Sequence, residues 1–153
     1  MRRKQLQLLA LAGSLGLLIG ALAFEHIGGL APCALCIWQR WPHLVALIGA
    51  GALAVASPVF ALIGAAGAAT SGGIGIYHTG VERGWWDGPS ACSAGGNLAG
   101  LTPEEALEQI LAAPVVRCDE VPWEMLGLSM ASWNVVASFA IAALWLASLR
   151  LRG

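Results

Sequence analysis

The stretch LVALIGAGALAVASPVFALIGAAGAATSGGIGIY, Leu44 to Tyr77, runs for 34 residues with nothing more polar than a serine or threonine. One straight helix of that length would reach about 51 Å at about 1.5 Å per residue, well beyond the roughly 30 Å hydrocarbon core of a bilayer. The segment must fold back on itself, and Ser57-Pro58 is its one turn signal, because proline ends or kinks a helix at the residue before it. Leu44 to Ala56 is too short to cross alone. The helix before the turn is therefore expected to begin near Cys36 and to carry Trp38, Arg40 and Trp41 through the headgroup zone. Pro42 would then sit in its first turns, where missing hydrogen bonds cost least. The helix after the turn is expected over 59–77.

Two further apolar runs, Leu6 to Phe24 and Ala131 to Leu149, each match the roughly 20 residues that a spanning helix needs. The chain as a whole has the composition of an integral membrane protein: 58% hydrophobic and 11% charged residues, with a mean hydropathy of +0.72. At 153 residues it is expected to be a single membrane domain, 1–153, with spans at 6–24, 36–56, 59–77 and 131–149 and loops at 25–35 and 78–130. The fold expected is an all-α, four-transmembrane-helix bundle. A rival reading of the first run is a secretory signal, with MRRK ahead of it and Ala21-Leu22-Ala23 as a cleavage site. The run is longer than the roughly 7–15 residues of a signal core, which favours an anchor.

Charge orients the bundle. Arg2, Arg3, Lys4, Arg150 and Arg152 are five of the eight basic residues, and eight of the nine acidic residues lie between Glu82 and Glu124. By the positive-inside rule both termini are cytoplasmic and the long acidic loop is outside. A net charge of −1 gives no reason to expect nucleic acid as a partner. Within the long loop, Thr102-Pro103-Glu104-Glu105 reads as an N-cap, a proline at the first helical position and a capping-box glutamate. Leu107, Ile110 and Leu111 share a face, and Ala113-Pro114 ends the helix, so a short amphipathic helix is expected, either on the membrane surface or against the loop.

The chemistry-bearing residues are the cysteines. Four cysteines allow three pairings. Cys33 and Cys36 are within reach of each other for almost any local backbone, while Cys92 and Cys118 share the long loop; this favours Cys33–Cys36 with Cys92–Cys118. All four fall on the side opposite the basic termini, which is the oxidising side if the source is a bacterium. Two structural staples in an exported loop are one reading. Zinc is a weaker one, because the second pair is 26 residues apart with no CxxC of its own. Redox work is favoured on three grounds. A CxxC closes too small a loop to constrain the chain much. Its place at a helix N-terminus, with Arg40 one turn past Cys36, favours the thiolate. It also opens toward lipid, where a hydrophobic electron acceptor can reach it. Arg40 at a span end is commonly a snorkelling anchor. At i+4 from Cys36 it shares that residue's face and can donate hydrogen bonds to a carbonyl oxygen.

Taken together, Pro32-Cys33-Ala34-Leu35-Cys36-Ile37-Trp38-Gln39-Arg40, Tyr77-His78-Thr79, the loop residues Cys92 and Cys118, and Trp123 with Gly127-Leu128-Ser129-Met130 resemble the disulfide bond formation protein B (DsbB) family, in order and over nearly the whole chain. The resemblance implies a protein-dithiol:quinone oxidoreductase of the bacterial inner membrane with its active cysteines on the periplasmic side. Its partner would be a periplasmic DsbA-like thioredoxin-fold protein and its electron acceptor ubiquinone or menaquinone, with no metal. Cys92 would form the mixed disulfide with that partner and Cys118 would pass electrons to Cys33. Cys36 would be the thiolate nearest the quinone, with Arg40, His78 and Met130 at the quinone site. Gln39 stands where some members carry glutamate, and Trp38 where others have a smaller aromatic.

Two other classes are weighed against this. One is a non-catalytic membrane scaffold braced by two disulfides. The other is a quinone reductase similar to vitamin K epoxide reductase, which usually places its CxxC on a late helix rather than before the second. The remaining features read as structural. His26 and His43, and His78 taken alone, are expected as interfacial polar residues, Glu25 as a solvated interfacial acid, and Trp85 and Trp86 as interfacial belt. Gly16 and Gly20 form a small-xxx-small pair expected at a close helix contact.

Overall fold

The computed structural model describes residues 2–55, 57–89, 102–112 and 116–151. Among the described residues, three helices are long and apolar enough to cross a membrane: α1 (Arg3–His26), α4 (Pro58–Glu82) and α6 (Met130–Arg150). The segment before the Ser57-Pro58 turn is also helical, but not as one uninterrupted helix. It comprises α2 (Ala34–Leu47), one 3-10 turn (Ile48–Ala50) and the short α3 (Gly51–Ala54). Pro42 is inside α2 rather than in its first turns, because the helix already starts at Ala34. Lacking an N–H, it leaves the Trp38 carbonyl without its helical donor.

The turn itself forms as the residues dictate. Ser57 caps α4 by accepting a hydrogen bond from the Val59 N–H at 3.4 Å, and Pro58 takes the first helical position, where an N–H has no helical partner to lose. At its other end α4 runs past Tyr77 to Glu82, which puts His78 and Glu82 on the helix instead of in the loop that follows. Trp86 folds back over this last turn. Its indole N–H donates to the Tyr77 carbonyl at 2.7 Å and its ring stacks on Tyr77, so it packs on the protein itself.

α4 is the central helix, packed against α2 on one side and α6 on the other, with α1 lying along α6 and α2. Close approach depends on missing side chains. A Cβ on Gly67 would stand 2.6 Å from the Pro42 carbonyl oxygen and 2.8 Å from the Ala46 nitrogen, so α2 and α4 meet backbone to backbone there. The fully buried Trp145 of α6 fills the space left by Gly64 on α4 and Gly49 in the 3-10 turn, where added Cβ atoms would stand 2.6 and 2.7 Å from its ring. Gly16 and Gly20 do not belong to such a contact. An added Cβ at either would meet nothing within 4 Å, which corrects the expectation of close helix packing there.

In the extramembrane segment, α5 (Pro103–Ala112) starts with the expected reciprocal cap. The Thr102 N–H donates to Glu105 at 2.9 Å and the Glu105 N–H donates to the Thr102 hydroxyl at 3.3 Å. Ahead of α6 the chain forms a hairpin that the sequence reading did not anticipate. β1 (Glu124–Met125) pairs antiparallel with β2 (Leu128–Ser129), with Glu124 opposite Ser129 and Met125 opposite Leu128. The two turn residues, Leu126 and Gly127, have φ of 55° and 76°, the left-handed pair that a two-residue hairpin loop requires. Ser129 closes the hairpin and caps α6, its hydroxyl accepting from the Ser132 N–H at 3.1 Å.

Backbone contact at position 67 gives a direct test. Gly67→Ala should destabilise the protein by about 1–3 kcal/mol, the usual cost of overpacking. Gly73→Ala, on the same helix with nothing within 4 Å of the added Cβ, should be neutral or slightly stabilising. Thermal unfolding of the two variants in detergent decides the matter, and equal effects would refute the close contact.

Candidate functional site

Cys33 is the N-cap of α2 and lies just ahead of it, so the geometry of a helix start acts on its sulfur. The backbone N–H of Cys36 donates to Cys33 Sγ at 3.2 Å, and the two sulfurs stand 2.9 Å apart as free thiols. One proton lies between them, and Cys33 is the better seat for the negative charge, since it also faces His78 Nε2 at 3.5 Å. The donating Cys36 thiol, helped by His78 and opposed by burial, holds the Cys33 thiol down at about 4. Cys33 is buried, whereas Cys36 is partly open.

His78, expected at the site from the family resemblance, and Gln39, noted only as a departure from the glutamate of some members, are central to the packing behind the dithiol. His78 is buried, with Nδ1 2.9 Å from Gln39 Nε2 and Nε2 3.8 Å from Glu82 Oε1. Gln39 is buried as well and reaches the Leu35 carbonyl at 3.1 Å and Asn134 Nδ2 at 2.7 Å. Glu82 in turn accepts from the Ser129 hydroxyl at 2.5 Å, so the hairpin is tied to the last turn of α4. Glu82 and Asn134 belong to no motif, and Gln39 stands in the Pro32–Arg40 signature without any sign of these partners. Their spacing from one another, and the placement of Gln39 four residues from Leu35, carries no signal until the helices are assembled.

Two expectations need correcting. His43 is not interfacial: it is 2% exposed and sits among Ser14 Oγ at 3.4 Å, Asn134 Oδ1 at 3.2 Å and Ser138 Oγ at 3.1 Å. A histidine on α2 survives there because α1 and α6 present polar partners to it, and buried polar groups are stable only when so paired. Glu25 is not a free solvated acid either. It forms an ion pair with Arg40 at 2.5 Å, both side chains being partly buried.

In front of the dithiol is a predominantly apolar cavity of about 350 Å³, and Cys33, Cys36, Arg40, His78, Glu82 and Met130 all contribute to its wall. Gly16 and Gly20 of α1 also line this cavity, which explains why no side chain meets them. Arg40 Nε is buried beside this space without a hydrogen-bond partner, although its Nη1 is engaged by Glu25. Five of the seven site residues expected from the sequence, Cys33, Cys36, Arg40, His78 and Met130, thus converge on one cavity.

Cys118 is held in a disulfide and, at 1% exposed, is buried where an exposed loop residue was expected. It packs with Cys33, Leu35 and Val81 in one cluster that Cys36 also touches. Cys92 lies outside the described residues. The sulfurs of Cys33 and Cys36 and a ring nitrogen of His78 lie within 4.8 Å of one another, a spacing that also suits a thiophilic cation.

Long apolar helices around a dithiol that lines an apolar cavity, with a disulfide packed beside it, define a multi-pass membrane protein of thiol–disulfide chemistry. Comparison with known proteins makes this specific. Residues 3–148 match the family model described as disulfide bond formation protein DsbB, and the chain belongs to that family. Its relatives include proteins named disulfide bond formation protein B. That of Polaromonas sp. (strain JS666) is 32% identical over 93% of this chain and 87% of its own length. That of Stutzerimonas stutzeri is 32% identical over 93% of each, and that of Pasteurella multocida is 36% identical over 83% and 74%. Membership supports an oxidoreductase role in disulfide formation and stands against a non-catalytic scaffold.

The low Cys33 value predicts how the reduced protein responds to pH. A thiol depressed in the folded state stabilises the fold fully above its ordinary value of about 8.5 and loses that contribution as pH falls through about 4. Thiolate absorbance in the ultraviolet, read as the difference between the reduced protein and Cys33→Ala, should persist down to pH 5. A difference that disappears between pH 9 and pH 8 would contradict the assignment.

Proposed function

We propose that the chain reoxidises a periplasmic DsbA-like thiol oxidase by passing electrons through two cysteine pairs to a membrane quinone, and so acts as a protein-dithiol:quinone oxidoreductase. The observation that carries this reading is the dithiol at the wall of an apolar cavity that also contains an unpartnered buried arginine nitrogen. In the same reading the helical segment 34–54 completes a four-span bundle with both termini in the cytoplasm and the cysteines on the periplasmic side of a bacterial inner membrane.

The chain of exchanges conserves sulfur bonds at every step. A thiolate of the reduced partner attacks Cys92 of a Cys92–Cys118 disulfide, and Cys118 leaves as the thiolate. Cys118 attacks Cys33 of the Cys33–Cys36 disulfide, and Cys36 leaves. The partner's second thiol and then Cys92 resolve the two mixed disulfides, which leaves the partner oxidised, the Cys92–Cys118 disulfide restored and Cys33 and Cys36 reduced. Thiolates are the attacking species throughout, and the packing of Cys118 with Cys33 in one buried cluster suits the second exchange.

A quinone such as ubiquinone or menaquinone fits the cavity's chemistry and would supply a two-electron, two-proton acceptor, regenerating Cys33–Cys36 as a disulfide. The residues present suit such a ring. The wall is mainly apolar, and Arg40 Nε offers a hydrogen bond to a carbonyl oxygen. The pairing of Arg40 with Glu25 fixes the guanidinium at the cavity's edge while leaving Nε unused. Met130, at the first position of α6, contributes apolar surface.

Mixing purified protein with a quinone and a reduced thioredoxin-fold partner, and following quinone absorbance, tests the reading. Cys36→Ser should abolish turnover, and turnover left intact would defeat it. Arg40→Ala should raise the KM for quinone by about tenfold or more, the value of a hydrogen bond from a charged donor, without altering the KM for the partner. Cys118→Ser should accumulate a covalent complex with the partner through Cys92. Capture at Cys33 instead would reverse the order of exchange.

A further inference from the structure

Two backbone carbonyls fix the polarity of the hydrogen bonds behind the dithiol. The Leu35 carbonyl can only accept, so the Gln39 atom 3.1 Å from it is the amide nitrogen and the other terminal atom is Oε1. That Oε1 faces Asn134 Nδ2 at 2.7 Å, and Nδ2 also lies 3.4 Å from the Ser71 carbonyl, a second group that can only accept. The two amides are thus oriented independently, and their orientations agree. Further along the seam, Asn134 Oδ1 accepts from Ser138 Oγ and faces His43 Nε2, each at 3.2 Å.

The consequence falls on His78. Gln39 Nε2 presents an N–H to His78 Nδ1 at 2.9 Å, and an N–H must meet a lone pair. Nδ1 is therefore bare, and the ring hydrogen is on Nε2. Nε2 faces Cys33 Sγ at 3.5 Å and Glu82 Oε1 at 3.8 Å.

We propose that Gln39 is a positioning residue, holding His78 as an Nε2–H donor aimed at Cys33 so that the charged sulfur of the reduced pair meets a hydrogen and not a lone pair. This rests on the reading of Cys33–Cys36 as the redox pair. His78 breaks no bond in the cycle: it stabilises the Cys33 thiolate while the electrons leave, and Gln39 acts only through it. A protonated Nε2 also has no lone pair for a cation, so the cluster of two sulfurs and this nitrogen presents a donor in place of a third ligand atom.

Nitrogen NMR of the reduced full-length protein, labelled with 15N-histidine in detergent micelles, tests the assignment directly. Only His26, His43 and His78 contribute, and loss of one pair of signals in His78→Asn identifies the last. The wild type should show a protonated, pyrrole-type Nε2 and an unprotonated, pyridine-type Nδ1 at His78. In Gln39→Met, which keeps the length and removes the amide, those shifts should average between tautomers. The kcat for quinone reduction should also fall by about tenfold with the KM for quinone within about twofold of wild type. A wild-type His78 protonated at Nδ1 would overturn the proposal. So would a Gln39→Met protein that keeps the single tautomer, or one that loses it with no fall in kcat. A wild type that reduces no quinone would defeat the functional reading instead, while the spectrum would still decide the tautomer.

Discussion

Inside an apolar bundle a polar side chain has only other side chains and helix carbonyls to satisfy it, and the contact between Gln39 and Asn134 is where this constraint is met. From that pair the seam extends to Ser71 and His78 on α4, to Ser138 on α6, and through His43 to Ser14 on α1. All four long helical segments therefore contribute to one line of hydrogen bonds. On either side of it the packing is made from alanine, glycine and the buried Trp145. Small residues bring the backbones together and the polar seam sets their register, because sliding α2, α4 or α6 by a turn would leave several buried groups without partners.

The layout of apolar segments was legible because it rests on length and on one proline. A run of 34 residues has to turn, and Ser57-Pro58 supplies both a cap and a first helical residue. The CxxC, the capping box at Thr102 and the set of residues gathered at the cavity were legible for the same reason, since each is a local pattern or part of an ordered family signature. What the sequence hid is what arises between helices. His43 looks interfacial by position and becomes buried because Asn134 and Ser138 lie 91 and 95 residues away in the chain. Glu25 looks solvated until α1 and α2 bring Arg40 against it. Gly16 and Gly20 have the spacing of a packing motif, yet they face a cavity, because spacing says which face they share and not what lies opposite. The break of the second apolar segment into α2, a 3-10 turn and α3 was likewise hidden, since Gly49 in that turn lies against Trp145, far along the chain.

The dithiol sits where these features converge, and its two sulfurs have different surroundings. Cys33 is held by a helix N-terminus, a histidine and the buried cluster that includes Cys118; Cys36 looks into the cavity. Both sulfurs reach the cavity wall, but Cys33 is the more deeply enclosed of the two and Cys36 the more open. The ion pair between Arg40 and Glu25 and the bond between Glu82 and Ser129 fix the rim from two directions, one through α1 and the other through the hairpin before α6.

The hydrogen-only surface that α1 presents at Gly16 and Gly20 has an evolutionary consequence. Those two positions leave room in the chamber without taking part in the sulfur chemistry or the amide seam. The bore can be narrowed there one methyl group at a time, so the room available to whatever occupies the cavity can drift through α1 alone while the thiol machinery stays unaltered.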